Sequence, residues 1–310
     1  MPLLKAEADK LSNNELAAGV IEEIIERDDL FAVLPFMQIN SKAYVYNRED
    51  EGAQNNITAG DGLPTFIDVN EVIIEGAVPF VEVVAKLRIL AGDVDVDKFL
   101  QEVESDTNNQ LAQQISAKAK AVARKYHSVL ATGNATTNAK EFDGVAKMVS
   151  TAQTINAGTN GAALTLSMLD QLVDQVPLGP DVLVMRSGTL RAFRNLLRAA
   201  GGTSAAEYMM PAFGRPMLTH NGIPIIINSF LPGNEVLGTS GATTCSVYAL
   251  RLNEADGLHG LYGGASAGIR VEPVGTVQNK DSERYRVKWY CGAALKSTKS
   301  VARLAGVTNV

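Results

Sequence analysis

Residues 81–133 read VEVVAKLRILAGDVDVDKFLQEVESDTNNQLAQQISAKAKAVARKYHSVLATG and contain the two most regular patterns of the chain. Residues 81–90 alternate apolar and polar side chains, which predicts a strand with one face against a core. Between Gly92 and Gly133 there is no glycine or proline, and apolar side chains recur at helical spacing. This predicts one helix of about 30–35 residues, whereas helices in globular domains average about 11–12 residues.

Charged residues follow the dipole of this predicted helix. Acidic residues lie in its first turns and basic residues lie toward its end, where each is stabilised by the partial charge of the helix terminus. They are Asp95, Asp97, Glu102 and Glu104 at the start, and Lys118, Lys120, Arg124 and Lys125 toward the end.

Two further strands are predicted before this segment, over residues 30–46 and 66–74. The connection between them, residues 47–65, is polar, contains three glycines and is far longer than most connections in compact domains. We expect it to form a tip, a lid or an arm that leaves the domain. Residues 12–27 predict an amphipathic helix, and residues 1–11 predict a loose arm.

The second half of the chain alternates predicted helices and strands, separated at glycine and proline. The predicted helices cover residues 167–176 and 189–200. The predicted strands cover residues 181–185, 223–230, 245–252, 268–277 and 284–296, and residues 279–282 form a hairpin turn between the last two. Together with the first half, this pattern predicts an α+β fold.

The composition is that of a globular protein, with 310 residues, 46% hydrophobic and 20% charged. The net charge of −6 is unevenly distributed. Residues 1–110 contain 8 basic and 22 acidic residues, and the remainder contains 20 basic and 12 acidic residues. Parts of opposite sign could dock head to tail between copies, or both could be solvated faces. There is no apolar run of membrane-spanning length and no signal peptide, so we expect folding in a cytoplasm.

One acidic run matches a calcium loop in part. Asp93, Asp95, Asp97 and Glu104 occupy positions one, three, five and twelve of that pattern. Position six, where an EF-hand needs glycine for its sharp turn, is Lys98. The run is better explained as the acidic start of a helix, and no metal site is predicted there.

The histidines and cysteines are isolated from one another in sequence. His127, His220 and His259 have no further ligand at metal-binding spacing. His127 is expected to pack within the long helix. Cys245 and Cys291 form no CxxC pair and are expected to be buried free thiols. No metal or cofactor is predicted.

One further motif matches an enzyme pattern by letter. The sequence GASAG at 264–268 matches the Gly-x-Ser-x-Gly elbow, which requires a strand before it and a helix after it. Here a glycine-rich loop is expected before it and the strand at 269–274 after it. There is no P-loop and no GxGxxG motif, and Trp289 and Tyr290 are expected in the core. No catalytic residue is predicted.

The order of these elements resembles the major capsid proteins of tailed phages with the Hong Kong 97 fold. The stretches that carry the resemblance are DLF at 29–31 with VLP at 33–35, TF at 65–66 leading to Ile74, Val81 to Ile89, ATGN at 131–134, FDGV at 142–145, DVLVM at 181–185 with TL at 189–190, and GIPI at 222–225. The resemblance covers most of the chain and depends on the order and spacing of these stretches.

The resemblance implies a Hong Kong 97-like capsid fold with an N-arm, an extended β-hairpin loop, a long spine helix in a peripheral domain and a mixed α/β axial domain. The implied boundaries are 1–40 for the N-arm, 41–80 for the extended loop, 81–140 and 265–310 for the peripheral domain, and 141–264 for the axial domain. It also implies hexamers and pentamers in an icosahedral virion capsid that encloses double-stranded DNA and is assembled in the host cytoplasm.

The resemblance also implies contacts between subunits. Extended-loop residues would contact basic receivers on a neighbour, and a hairpin turn would lie at a three-fold contact. The loop residues are Arg48, Glu49, Asp50, Glu51 and Asp61; the receivers are Lys118, Arg124, Arg191, Arg194 and Arg198; the turn residues are Asn279, Lys280, Asp281 and Glu283.

Two departures from the family pattern affect these expectations. Some members crosslink subunits through a loop lysine, but there is no lysine between Lys42 and Lys86, so no such crosslink is expected. Some members carry a fused scaffolding segment, which the short arm here replaces. A separate scaffolding protein, a portal and a possible decoration protein are the expected partners, with no sequence-specific DNA binding and no membrane.

Two other functions remain open at this point. An encapsulin, the shell subunit of a bacterial protein compartment, has the same fold and differs in its cargo. An α/β enzyme without a recognised motif is the third possibility, although no catalytic set of residues supports it. The leading prediction is a structural capsid protein without enzymatic activity.

Overall fold

The computed structural model describes residues 29–49, 66–72, 80–103, 110–199, 207–209, 217–241, 243–264 and 268–310. The arm and helix predicted within residues 1–27, and residues 50–65 of the long connection, lie outside the described residues.

The described residues form six α-helices and fourteen strands. The helices are α1 (Leu30–Val33), α2 (Lys98–Val103), α3 (Gln110–Thr132), α4 (Val145–Met148), α5 (Leu166–Asp174) and α6 (Ser187–Ala199). The strands are β1 (Phe36–Ile39), β2 (Ala43–Glu49), β3 (Phe80–Lys86), β4 (Arg88–Asp97), β5 (Thr154–Asn156), β6 (Val182–Met185), β7 (Glu207–Met209), β8 (Met217–His220), β9 (Ile223–Ile227), β10 (Cys245–Leu250), β11 (Leu258–Gly263), β12 (Arg270–Thr276), β13 (Ser282–Leu295) and β14 (Val301–Val307).

Strand β13 organises a five-stranded sheet. It pairs antiparallel with β4 along one edge, and with β12 and then β11 along the other. Strand β1 adds to β11 in parallel. The hairpin turn predicted at 279–282 joins β12 to β13, as the sequence indicated. The sheet therefore unites three distant parts of the chain.

Helix α3 packs across one face of this sheet through an aromatic cluster. The Tyr126 and Trp289 rings lie 4.4 Å apart, and the Phe31 ring meets both edge-on. His127 stacks on Phe230 and contacts Phe31, which confirms that it packs. Such aromatic pairs stabilise beyond the area they bury. Trp289 is a core residue, as predicted.

The second large sheet has seven strands, in the order β5-β14-β10-β6-β9-β8-β7. Its central strand β6 is buried on both faces. Val182 and Val184 face the core under α3, whereas Leu183 and Met185 face a second core covered by α5 and α6. A strand covered on both sides has no reason to alternate, which explains its continuous apolar sequence. Cys245 and Cys291 are buried free thiols, as expected.

The long helix begins later than predicted. Strand β4 continues to Asp97, so Asp95 and Asp97 lie in a strand and not in the first helical turns. Helix α3 has 23 residues, about 35 Å, and residues 104–109 between it and α2 lie outside the described residues. The prediction was wrong about the helix start because Val94 and Val96 are buried in the sheet, so a two-residue period replaces the helical one.

Three strand predictions were also wrong in part. Residues 81–90, predicted as one strand, are divided between β3, which ends at Lys86, and β4, which begins at Arg88. Residues 66–72 form no strand, because Asn70 has a positive φ of 67° and Glu71 N donates to Asp68 O in a turn. Residues 30–46 form α1, β1 and the start of β2 rather than one strand. The partner of β2 is β3, in an antiparallel register from Ala43 opposite Lys86 to Glu49 opposite Phe80. We call this two-stranded sheet the ribbon.

Candidate assembly interface

The ribbon has one face toward the body and one toward solvent. Tyr44 and Tyr46 are partly buried against residues of the five-stranded sheet, and Val45 between them is exposed, as the alternation predicted. Phe80, Val81 and Val84 of β3 are also exposed apolar side chains. Apolar residues on an exposed ribbon are typical of a surface that another chain covers.

Three polar groups attach the ribbon to the end of β13, and we call this attachment the ribbon root. Arg48 donates from Nε to the Lys296 carbonyl and from Nη2 to the Leu295 carbonyl, both at 2.8 Å. The Tyr46 hydroxyl donates to the same Leu295 carbonyl at 2.6 Å, and burial raises the pKa of Tyr46. Arg48, predicted to contact a neighbour, therefore uses its guanidinium within its own chain.

A cavity of about 350 Å³ opens beside the ribbon root, and we call it the root cavity. Its apolar lining comes from β3, from the end of β13 and from the segment after α3, including Val83, Phe142, Met148 and Leu295. Its charged lining residues are Arg48, Lys86, Arg88 and Asp143. Asp143 is tied to the local backbone, because its Oδ1 accepts from Ala135 N at 2.9 Å. The lining of the cavity thus combines apolar side chains with mainly positive charge.

Residues 66–72, which we call the connection segment, lie in the chain between β2 and β3. All seven are exposed, and Phe66, Ile67, Val69 and Val72 are large and apolar. The segment has internal order, because Asp68 N donates to Glu71 Oε2 at 2.8 Å. It is an apolar and acidic surface that none of the other described residues covers.

Charged side chains on β4 and β13 pair across the strands. Arg284 donates to both oxygens of Asp95 at 2.6 and 2.7 Å, and Arg286 donates to both oxygens of Asp93 at 2.8 Å. These hydrogen bonds lower the pKa of both carboxyls. Bidentate guanidinium pairs are the strongest of the charge-assisted bonds. The acidic run is therefore used for sheet pairing and not as a calcium loop.

The hairpin turn between β12 and β13 projects into solvent. Asn279, Lys280 and Asp281 are exposed and Glu283 is partly buried. Lys98 of α2 lies 3.6 Å from the Asp281 carboxylate, and its backbone N–H donates to the Asp281 carbonyl. The turn is therefore held against α2, while its three-fold contact remains a prediction.

The predicted basic receivers fall into two groups. Arg191, Arg194 and Arg198 are all exposed on α6, with Arg198 donating weakly to Asn195. Lys118 and Arg124 of α3 are only partly exposed, and the Lys118 side chain crosses Gly92 of β4, where a Cβ atom would collide with it. The arginines of α6 are therefore more exposed than Lys118 and Arg124. Glu49 ends β2 and is exposed, and Asp50, Glu51 and Asp61 lie outside the described residues.

His220 and His259 are both in contact with other residues of the fold. His220 lies 2.8 Å from Asp170 and meets Phe193 edge-on, so it joins β8 to α5 and α6. His259 is fully buried, its Nε2 has no partner among the described residues, and burial lowers its pKa. No group of three metal-ligating side chains occurs in the part of the chain that the structure describes.

The Gly-x-Ser-x-Gly match is followed by a strand, and its residues 265–267 are not among those described. Gly264 follows strand β11, where the sequence had suggested a glycine-rich loop, and β12 begins at Arg270. A nucleophile elbow requires a helix at that point.

No described helix is both long and apolar enough to cross a membrane.

Sequence reasoning missed the root cavity and the connection segment. The cavity is assembled from β3, β13 and the residues after α3, so no local pattern could indicate it. The connection segment did carry a signal, because Phe66, Ile67, Val69 and Val72 occur beside a polar, glycine-containing stretch. The spacing of these apolar residues alone predicted a strand.

The comparisons with known proteins agree on fold. The sequence profile of a family described as phage capsid protein matches residues 84–304. The encapsulin SrpI of Synechococcus elongatus PCC 7942 superposes with a TM-score of 0.72 at 20% identity, over 99% of this chain and 96% of that chain. No curated protein sequence matches.

Two capsid structures superpose on this chain to a similar extent. The capsid of cyanophage A-1(L) superposes with a TM-score of 0.69 at 11% identity, over 99% of this chain and 100% of that chain. The capsid protein of the empty GTA particle gives 0.69 at 14% identity, over 97% of both chains. At these identities the structural matches establish the fold.

Proposed function

The chain belongs to the phage capsid protein family, and we propose from that premise that it is the major capsid protein of a tailed bacteriophage. It has the Hong Kong 97 fold and is a shell-forming, non-enzymatic structural protein. In the proposed role it forms hexamers and pentamers that close into an icosahedral head around double-stranded DNA. The family match carries the proposal.

The geometry supports self-assembly through the ribbon. Its exposed apolar residues and the uncovered connection segment leave apolar surface that a second copy could bury. A contact between two different surfaces of the same chain is heterologous, and it closes into rings when the rotation is suitable. The proposed partners beyond the chain itself are a separate scaffolding protein and a portal, with a decoration protein as a further candidate.

The first test is assembly of the purified full-length chain. Size-exclusion chromatography and negative-stain microscopy, with and without a scaffolding partner, should show closed shells of many megadaltons. A stable small oligomer under all of these conditions would overturn the proposal.

An encapsulin-type compartment is the second candidate, because the Synechococcus encapsulin superposes over nearly the whole chain. The two functions differ in what the shell encloses. Shells isolated from cells that encode the chain should protect double-stranded DNA from nuclease if the capsid proposal holds. Nuclease-resistant shells that contain a defined protein cargo and no DNA would favour the compartment instead.

The charge of the subunit is compatible with enclosed DNA that is not tightly bound. The net charge of −6 provides no general attraction for phosphate. We expect DNA to be held by enclosure and to show no sequence preference for the shell protein. Filter binding of linear DNA to preformed empty shells should therefore be weak at physiological salt.

A further inference from the structure

We propose that the root cavity is a binding site for a small amphipathic carboxylate, whose apolar body lies in the cavity and whose charge is held by Lys86 and Arg88. The inference goes beyond shell formation, because it assigns a ligand to the single subunit. It rests on the size of the cavity, on the chemistry of its lining and on the way its cations are paired within the described residues.

The root cavity has the size of a small-molecule site. Its volume of about 350 Å³ lies within the range of about 300–1,000 Å³ in which proteins bind small ligands. An apolar cavity of about 150 Å³ holds a benzene ring. By this comparison the root cavity has room for an apolar body of about two fused rings, or for an alkyl chain of similar volume.

The apolar walls of the cavity are held in place by the fold. Phe142 and Leu295 are buried in the core under α3, and Met148 packs against the same core. The Tyr46 side chain is fixed by its hydroxyl, which donates to the Leu295 carbonyl at 2.6 Å. Walls that are already ordered lose little conformational entropy when a ligand binds. An apolar body would therefore be buried against β3, the end of β13 and the segment after α3.

The three cations of the lining have no carboxylate partner. Arg48, Lys86 and Arg88 form no ion pair with any residue that the structure describes. The Arg48 guanidinium is engaged by two carbonyls at the ribbon root. Arg88 donates from Nε to the Glu141 carbonyl at 3.0 Å, which orients its guanidinium and leaves both Nη groups for a ligand. Lys86 is exposed at the mouth of the cavity.

This arrangement favours an anion over a neutral ligand. Asp143 is the one carboxylate among the described lining residues, and its Oδ1 is engaged by Ala135 N at 2.9 Å. The positive charge of the lining therefore exceeds the negative charge. A guanidinium with both Nη groups available matches the two oxygens of a carboxylate. A carboxylate carries a single charge, so it costs less to remove from water than a doubly charged phosphate.

Calorimetric titration of unassembled full-length subunits tests the site directly. The probes are 2-naphthoate and octanoate, which combine a carboxylate with an aromatic and an alkyl body. At least one of them should bind saturably, with one ligand per subunit. The neutral analogue 2-naphthalenemethanol should bind about tenfold more weakly than 2-naphthoate, because a hydrogen bond between two charged groups is lost.

Two results of this titration would overturn the inference. One is the lack of saturable binding by both carboxylates, and the other is equal affinity for 2-naphthoate and its neutral analogue. No neighbouring subunit is present to fill the cavity in this experiment. Its outcome is therefore independent of shell formation and of the proposed function.

Variants locate the ligand within the subunit. Lys86→Gln should weaken the binding of the better carboxylate about tenfold, and Arg88→Gln should do the same. Lys86 has no partner to lose, so its replacement leaves folding intact even if Arg88→Gln disturbs the bond to Glu141. Lys147→Gln, an exposed lysine that does not line the cavity, is the matched control and should bind normally.

Filling the cavity provides a further test that leaves its charges in place. Ala135 is a partly exposed residue of the lining, and Ala135→Phe should abolish binding of both carboxylates by occupying the space of their apolar bodies. The urea midpoint of this variant checks that it folds. Unchanged affinity in both Lys86→Gln and Ala135→Phe would place the ligand elsewhere and overturn the inference.

Discussion

His259 is a fully buried titratable side chain of the five-stranded sheet, and its position makes it sensitive to acid. It is fully buried in β11, its Nδ1 lies 3.3 Å from the Gly257 carbonyl, and Tyr44 of the ribbon meets it edge-on. Two charged groups act on its pKa: Lys296 disfavours protonation, and Glu254 favours it. Burial is the largest cause of its lowered pKa.

The lowered pKa predicts a loss of stability in acid. The unfolded chain takes up a proton near pH 6.5, before the folded chain does. The contribution of His259 is therefore complete above about pH 6.5, and it falls by at most about 1.4 kcal/mol per pH unit below that. In urea unfolding of unassembled subunits between pH 7.5 and 5, His259→Gln should show a smaller decrease than the unmodified chain. Identical slopes for the two would contradict this account.

Gly144 is required by close packing rather than by backbone conformation. A Cβ atom there would lie 2.4 Å from the Val129 carbonyl oxygen and 2.6 Å from Gly133 N, where α3 ends. We expect Gly144→Ala to destabilise the subunit by about 1–3 kcal/mol through overpacking. Gly268→Ala, which meets nothing within 4 Å, is the control. Equal unfolding midpoints for the two variants would show that the junction can relax.

At the scale of elements, the sequence predicted those that are bounded by strong local signals. The helix predicted at 167–176 is Leu166–Asp174, and the one predicted at 189–200 is Ser187–Ala199. Strand β11 was missed because its glycines remove the period-two pattern. Gly260 is needed there, since a Cβ atom would lie 2.4 Å from the Phe36 ring. The start of the long helix was misplaced because β13, nearly two hundred residues away, takes residues 88–97 into a sheet.

The pairing of β4 with β13 can be tested through Asp95, whose carboxylate is mostly buried beneath Arg284. Its lowered pKa means that the ion pair is fully formed above about pH 3.9 and is lost as the pH falls through the folded pKa. Asp95→Asn should therefore lower the urea midpoint at pH 7, and the difference from the unmodified chain should shrink toward pH 2.5. A constant difference across this range would assign the effect to packing instead.

At the scale of the whole molecule, the described residues leave apolar surface in contact with solvent. The two sheets and their helices close two cores, but the ribbon and the connection segment leave Phe66, Phe80 and Val81 in solvent. The family resemblance predicted this organisation, whereas composition alone could not. The root cavity could not be predicted from the sequence, because its lining comes from segments that are distant in the chain.

The uneven charge of the chain leads to a last prediction about assembly. Glu49 ends β2 of the ribbon and is followed in the sequence by Asp50 and Glu51. Among the predicted receivers, the arginines of α6 are the exposed ones. We expect these charges to serve assembly, so reversing all three acids to lysine should leave the urea midpoint of the unassembled subunit nearly unchanged. An exposed charge such as that of Glu49 contributes little to folding. The reversal should sharply reduce shell formation, most strongly at low salt, where attraction is least screened.

A compensating change identifies the receiver of these acidic residues. If the ribbon of one subunit meets α6 of the next, Arg191→Glu with Arg194→Glu and Arg198→Glu should restore shells to the reversed chain. If it meets α3 instead, only Lys118→Glu with Arg124→Glu should do so, although the part of Lys118 that lies over Gly92 makes this the more disruptive change. Light scattering during assembly at two salt concentrations measures both. Normal shells from the reversed chain alone would show that apolar docking, and not charge, holds the ribbon on its neighbour.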